Sequence, residues 1–196
     1  DPDLKARLIG EAKFLRAFMY FTLVKCYGGV PVVDHVPNPS SDADRIMQLT
    51  RKSKAEVYTF IENDLNDAIA VLPNKSAYPI SERARASVGA AHALLAKVSL
   101  YQGKWQQVID NCNLVSGYSL VSDYASQYKL SGEFDNESIF EISGYGSTPA
   151  KGIQGYSVSQ GARGAGGWGW GFNTPSQSLV NAYEVGDVRK DATIIF

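Results

Sequence analysis

The stretch "EAKFLRAFMYFTLVKCYGGVPVV", residues 11–33, decides the fold of this chain. It places five aromatic residues on one predicted helix and then breaks at Gly28-Gly29 into Val-Pro-Val. Glycine permits backbone conformations that a side chain would hinder, and the proline that follows prevents the helix from resuming. We therefore predict a long helix that ends sharply at the two glycines. Its aromatic residues are Phe14, Phe18, Tyr20, Phe21 and Tyr27.

The start and the faces of this helix can also be predicted. Asp1 and Pro2 form a favourable beginning, because aspartate caps the first turn and proline fits the first helical position. One apolar face has 4-3-4-3-4 spacing, and Phe14, Phe18 and Phe21 line a neighbouring face. A helix that is apolar nearly all round is predicted to be buried on several sides. The spaced face consists of Leu8, Ala12, Leu15, Met19, Thr22 and Cys26.

Three more helices are predicted before residue 116. The second begins at Ser53, where Glu56 completes a capping box, and it ends before Pro73. The third and fourth cover residues 87–103 and 104–115.

The segment "AHALLAKVSLYQGKWQQVIDN", residues 91–111, is typical of a tetratricopeptide helix–turn–helix. Small residues there allow paired helices to approach closely, and Gly103 makes the turn. We assign Trp105, which follows the turn, to the scaffold. The chain is thus predicted to be mainly α, with tetratricopeptide-like helical pairs in an α-α superhelix.

The character of the sequence changes after residue 115. Short strands are predicted within residues 119–130 and 136–143, and residues 143–172 contain ten glycines and five aromatic residues. A short helix is expected through Leu179. We predict a helical scaffold over residues 1–115 and a loop-rich ligand-binding portion over 116–196 that packs on it.

The composition is that of an ordinary globular protein. The net charge is −1, with 44% hydrophobic and 20% charged residues, which argues against a nucleic-acid partner. No apolar run is long enough to span a bilayer, and no signal peptide is recognised. Cys26 and Cys112 are predicted to be small buried hydrophobic residues rather than a disulfide.

The chain resembles the SusD/RagB family of surface glycan-binding lipoproteins. The segment Glu-Ala-x-Phe-Leu-Arg-Ala, aromatics, Tyr-Gly-Gly-Val-Pro is the most recognisable part of that family, and four other segments match in the family's order. The matching segments are residues 10–33, 51–73, 83–105, 136–143 and 173–194.

The resemblance implies a function as well as a fold. Family members are much longer, begin with a lipoprotein signal and a lipidated cysteine, and face outward from the outer membrane. They pass captured oligosaccharides to a SusC-like TonB-dependent transporter. By this resemblance the chain is a middle portion of such a protein, with the lipid anchor outside it, and it acts as a non-catalytic glycan-binding protein.

A sugar site is predicted in the glycine-rich segment. Pyranose rings present flat C–H faces that an exposed aromatic ring can cover, while neutral polar side chains and arginine serve the hydroxyl groups. If residues 168–170 are extended, both tryptophan rings point to one side, about 6–7 Å apart. The opposing interpretation is that these aromatic residues fold back and plug the helical core. The candidates are Trp168, Trp170, Tyr156, Tyr145, Arg163 and Asn173, with Gln154 and Gln160 nearby.

No catalytic pattern emerges from the sequence. A glycosidase needs two carboxylates, yet no Asp or Glu lies between Glu141 and Glu184. Upstream acids that could approach are Asp123, Glu133, Asp135 and Glu141. "GARGAG" at 161–166 lacks the context of a phosphate loop. We predict no enzymatic activity, no cofactor and no metal site.

The remaining polar residues have local interpretations. His35 is expected at the surface, His92 as a hydrogen-bonded packing residue, and Asp187 with Arg189 as a local ion pair. Two alternatives to glycan capture stay open: a tetratricopeptide-type scaffold that binds a protein partner, and capture of peptide or glycoprotein ligands.

Overall fold

The computed structural model describes residues 1–143, 159–164 and 169–194. The regular elements of these residues are all helical, so the predicted mainly α fold is confirmed. The described residues contain no strand, and the short strands expected within 119–130 and 136–143 are therefore wrong. The chain divides into two compact units, Asp1–Ser119 with Ser138–Phe140, and Leu120–Glu137 with Glu141–Phe196.

The first unit is a set of helices whose starts follow from the sequence. The Asp1 carboxylate accepts the first amides of the first helix, and Ser53 with Glu56 forms the expected capping box. The Ser87 hydroxyl likewise accepts from the amide of Ala90. The helices are α1 (Pro2–Tyr27), α2 (Asp42–Leu49), α3 (Lys54–Ile69), α4 (Val88–Leu100) and α5 (Trp105–Leu114). Of these, α2 was not predicted.

The end of α1 explains the two glycines. Gly28 has φ +70°, a conformation that L side chains rarely adopt, and a Cβ on Gly29 would lie 2.0 Å from the carbonyl oxygen of Lys52. Arg51 donates to the carbonyls of Tyr27 and Gly29 at 2.7 and 2.8 Å. The break is therefore fixed both by backbone crowding and by capping of the last carbonyls.

The helices pair in antiparallel fashion. Contacts between α1 and α3 run in opposite order along the two helices: Lys13 with Asp67, Arg16 with Asp64 and Tyr20 with Phe60. In the same way, α4 and α5 are joined by His92 with Asn111 and Ser99 with Gln107. This is the arrangement that a tetratricopeptide-like pair requires, and it confirms His92 as a hydrogen-bonded packing residue.

The core of the first unit lies between α1, α3 and α4. Alanines at the helix contacts, such as Ala17, Ala68 and Ala91, are fully buried and let the helices approach closely. The larger buried side chains include Phe14, Phe21, Val24, Val57, Tyr58, Ile61, Leu65, Leu94, Leu95 and Val98.

Other faces of these helices are open. The spaced face of α1, from Leu8 to Cys26, is exposed, so the prediction that this helix is buried on several sides is wrong for that face. The reason is the position of its neighbours, which contact the face that carries Phe14 and Phe21. Cys26 and Cys112 are also exposed, contrary to prediction. Trp105 belongs to the scaffold helix α5, but its side chain is 65% exposed.

The segment 136–143 shows why its predicted strand fails. Instead of pairing with another strand, Phe140 packs against the rings of Phe14 and Phe18, at centroid distances of 5.0 and 6.2 Å. Ile139 also contacts this core. The apolar residues whose pattern resembled a strand therefore belong to a loop. In this loop the neighbouring residues Ile139 and Phe140 both pack against the helices.

The second unit consists of short helical elements. Where a strand was expected, Asp123 accepts the amide of Ala125 and starts a 3-10 turn. The elements are the 3-10 turns Tyr124–Tyr128 and Leu130–Gly132, then α6 (Gln177–Ala182) and α7 (Arg189–Thr193). Among the residues that the structure describes, no helix has the length and apolarity needed to cross a membrane.

Candidate functional site

The candidate site is built on two backbone stretches of the second unit that lie side by side. The amide of Gly169 donates to the carbonyl of Ala162 at 3.0 Å, and the amide of Gly171 donates to the carbonyl of Gly161 at 2.9 Å. A further bond joins the amide of Phe172 to the carbonyl of Ser159 at 3.1 Å. These bonds satisfy backbone groups of 159–162 and 169–172 and hold the two stretches together.

Steric constraints explain why glycine occupies positions 169 and 171 of this region. A Cβ on Gly169 would lie 2.3 Å from the carbonyl oxygen of Gly161, which is closer than any real side chain allows. Gly171 has φ +67°, in the left-handed region. The glycine-rich composition therefore permits close backbone approach and a turn between two aromatic residues.

Those two aromatic residues form an exposed pair that we call the aromatic shelf, Trp170 and Phe172. Their ring centroids are 6.4 Å apart and their planes differ by only 7°. Trp170 is 59% and Phe172 is 78% exposed. Large aromatic surface left in water, on rings held nearly parallel, is a natural contact for a flat apolar face.

Polar side chains border the aromatic shelf. Arg163 is exposed, and its Cβ lies 3.0 Å from the position that a Cβ on Gly171 would take. The guanidinium stem therefore starts beside the turn that separates the two rings. Asn173 follows Phe172 directly and is also exposed. Together these side chains can offer hydrogen-bond donors and an acceptor to hydroxyl groups around a ring that rests on the shelf.

The sequence-predicted candidates are thus distributed as follows. Trp170, Arg163 and Asn173 lie on or beside the aromatic shelf. Gln160 is half-buried in the paired stretch 159–162. Tyr145, Tyr156, Trp168 and Gln154 fall outside the described residues, so the expected pairing of Trp168 with Trp170 is not described.

Sequence reasoning missed Phe172. The signal was present, because Phe172 stands two residues after Trp170 with a glycine between them, the same spacing that was used for Trp168 and Trp170. What the sequence could not give is the turn at Gly171, which makes these rings nearly parallel.

Two of the carboxylates that could have served as upstream acids, Asp123 and Glu141, take part in local structure. Glu141 accepts from the amide of Phe134 at 2.8 Å, and Asp123 caps its 3-10 turn. Phe134 itself has φ +59°, an uncommon conformation for a non-glycine residue. Within residues 1–143, 159–164 and 169–194, no group of three or more His, Cys, Asp or Glu side chains is placed to hold a metal ion.

Two other predicted polar features are confirmed. His35 is exposed and contacts the carboxylates of Asp34 and Asp44. Asp187 and Arg189 form the expected local ion pair, with 2.6 Å between Nη2 and Oδ2. This guanidinium lowers the pKa of the Asp187 carboxyl to about 2.

Comparison with known proteins gives consistent matches. Residues 1–100 match the SusD-like family described as starch-binding and associating with the outer membrane. A SusD-like protein P2 of Formosa agariphila is 29% identical over 208 residues, covering 99% of this chain and 40% of its own length. The chain therefore spans less than half the length of this curated relative.

Solved structures agree with this match. A SusD-like protein from Bacteroides fragilis is 34% identical with a TM-score of 0.77, over 94% of this chain and 36% of that protein. A laminarin-binding SusD-like protein is 31% identical with a TM-score of 0.81, over 100% of this chain and 47% of that protein.

Proposed function

Because this chain belongs to the SusD-like family, we propose that it takes part in the capture of oligosaccharides at the bacterial outer membrane. Capture here means reversible binding without bond cleavage. The family description, starch-binding and associating with the outer membrane, supports both the ligand class and the location. The laminarin-binding relative supports a glucan as the ligand.

The observation that carries the proposal is the aromatic shelf with its polar border. A pyranose ring placed on Trp170 or Phe172 loses apolar contact with water, and its hydroxyl groups stay at the rim, where water or side chains can pair with them. Arg163 and Asn173, which follow the two paired stretches and are both exposed, would make such bonds. Sugar binding needs no ionised acid or base, which fits a site without carboxylates.

The wider role extends the same proposal. The bound oligosaccharide is passed to a SusC-like TonB-dependent transporter, and the protein is held outward-facing on the membrane by a lipid anchor outside this chain.

The test is a matched set of tryptophan and phenylalanine substitutions. Trp170→Ala and Phe172→Ala should each weaken binding of laminarihexaose or maltohexaose about tenfold or more, measured by calorimetry, because each removes one apolar platform. Trp105→Ala is the control, since this tryptophan is also exposed but lies on α5. The melting temperature should stay the same for all three variants.

Two results would contradict the proposal. Unchanged affinity after both shelf substitutions would remove its basis. A large fall in melting temperature for Trp170→Ala would support the opposing interpretation, in which the aromatic loop is a structural plug.

A second candidate function has its own observation. The exposed apolar face of α1, including Leu8, Leu15 and Met19, favours a scaffold that contacts a protein partner such as the transporter. Met19→Glu should then weaken transporter binding while leaving oligosaccharide affinity unchanged. If Met19→Glu has no effect on the assembly, this candidate loses its support.

A further inference from the structure

A concave site lies within the second unit, and none of its lining residues belongs to the aromatic shelf. It has a volume of about 280 Å³, at the small end of ligand pockets. Its walls come from the first 3-10 turn, from α6 and from the segment that leads into α7. We call it the tyrosine pocket, and it is lined by Tyr124, Leu179, Ala182, Tyr183, Asp187 and Arg189.

The polar side of the tyrosine pocket is the Asp187–Arg189 ion pair, in which one end of the guanidinium is not bonded to the carboxylate. Arg189 donates through Nε and Nη2 to the two carboxylate oxygens of Asp187, at 2.9 and 2.6 Å. The Asp187 side chain is only 13% exposed, whereas that of Arg189 is 63% exposed. Because the carboxylate is engaged by Nε and Nη2, the Nη1 end of the guanidinium faces away from Asp187 and can donate to a ligand.

The aromatic side of the pocket is held in place by hydroxyl contacts. The hydroxyl oxygens of Tyr124 and Tyr128 are 2.6 Å apart, and their rings meet edge to face at 5.5 Å. Tyr124 also bonds the Thr193 side chain on α7, and these contacts lower the pKa of its phenol. The Tyr124 ring is thereby fixed to both sides of the pocket, which limits the entropy lost when a ligand binds.

From this arrangement we propose that the tyrosine pocket binds one pyranose ring of a neutral oligosaccharide, as a contact additional to the aromatic shelf. The inference rests on the proposed function. Tyr183 and Leu179 supply apolar surface for the C–H face of the sugar, and the Asp187–Arg189 pair supplies acceptors and donors to neighbouring hydroxyl groups. A fixed pair of this kind can contact two adjacent hydroxyls at once.

The charges favour a neutral ligand over an anionic one. Asp187 has a pKa of about 2, so its carboxylate remains ionised at neutral pH and balances the charge of Arg189. A phosphate or uronate that approached the guanidinium would meet this carboxylate directly beside it. A hydroxyl group suffers no such repulsion.

The experiment fills the pocket without removing its ion pair. Ala182 is exposed on α6 and lines the pocket, so Ala182→Trp places a bulky ring in it, whereas Gln177→Trp places the same ring on the opposite face of the same helix. Amide shifts of the full chain are followed by NMR during titration with laminarihexaose and maltohexaose, in the unchanged protein and in Trp170→Ala.

The expected result is a second set of shifting amides at residues 179–183, retained in Trp170→Ala. Ala182→Trp should weaken the affinity read from these amides about tenfold, and Gln177→Trp should leave it unchanged. Shifts at residues 169–173 without shifts at 179–183 would overturn the pocket alone and leave the proposed function standing. Shifts at neither position would overturn both.

Discussion

Within residues 11–33, the segment that decides the fold, Arg16 makes contacts that link several elements. Arg16 donates to both carboxylate oxygens of Asp64 at 2.7 Å, and Asp64 is only 3% exposed. The same guanidinium donates to the carbonyl of Asp34 and lies 4.7 Å from the centre of the Phe60 ring. One side chain thus joins α1 to α3 and to the loop that follows α1.

Removal of Arg16 should destabilise the first unit strongly. Arg16→Met leaves the buried Asp64 carboxylate without its counter-charge, and the free energy of unfolding should fall by about 3–5 kcal/mol. Urea denaturation measures the change. The control is Lys13→Ala, which breaks the more exposed pair with Asp67 and should cost about 0–1 kcal/mol. Equal losses in the two variants would contradict the special role of Arg16.

His35 gives the chain a pH-dependent contact at the start of α2. Its imidazole contacts Asp34 at 2.6 Å and Asp44 at 3.3 Å, and hydrogen bonds to these two carboxylates raise its pKa above the ordinary value of 6.5. The stabilisation is therefore fully present below pH 6.5 and is lost as the pH rises through the higher folded pKa. At acid pH it falls again when the two carboxylates, whose pKa values are lowered, become protonated.

A titration of the His35 ring by NMR checks this sign. The midpoint should lie above 6.5, and Asp44→Asn should move it down because one carboxylate partner is neutralised. Asp42→Asn is the matched control, since Asp42 lies on the same helix but pairs with Arg45. A midpoint at or below 6.5 in the unchanged protein, or an equal shift in both variants, would contradict the assignment.

At the scale of elements, the sequence predicts best where local chemistry decides the outcome. The cap at Asp1, the capping box at Ser53 and the sharp end at Gly28 all depend on residues within a few positions, and all three are confirmed. The faces of α1 depend on which helices pack against it, and periodicity alone cannot tell a buried apolar face from an open one. That is why the spaced face from Leu8 to Cys26 was assigned wrongly.

The same reasoning accounts for the failed strands and for the candidate site. Alternation in 136–143 was a correct sign of burial, but its partner is a helical core rather than another strand, which only tertiary contacts reveal. Trp170, Arg163 and Asn173 could be named because their residue types suit sugar binding. Phe172 shows the same spacing and was missed, but the near-parallel rings and the tyrosine pocket could not be predicted, because they depend on a turn at Gly171 and on residues from distant parts of the second unit.

The two units of the whole molecule differ in the way they are stabilised. The first buries a large apolar core between α1, α3 and α4. In the second, the described residues are mostly exposed, and Gly132 and Ile194 are the buried ones among them. Local hydrogen bonds and ion pairs such as Asp187–Arg189 hold that unit together, and such contacts open more readily than a packed core.

This difference predicts separate hydrogen-exchange behaviour. Amides of α1, α3 and α4 should exchange slowly, through global unfolding of the first unit, whereas those of α6, α7 and the two 3-10 turns should exchange faster through local opening. Native-state exchange followed by mass spectrometry or NMR measures both sets in one sample. The division of the chain into separately stable parts stays a prediction until such a measurement is made.

Arg16→Met provides the decisive control for that measurement, because it lowers stability at a position inside the first unit only. If the units open independently, the variant should speed exchange in α1, α3 and α4 by the factor that its loss of unfolding free energy implies, and leave α6 and α7 unchanged. A proportional increase in both units would mean that the chain unfolds as one cooperative body. In that case the loop that carries the aromatic shelf would draw its stability from the helical core, and Arg16→Met would weaken oligosaccharide binding as well.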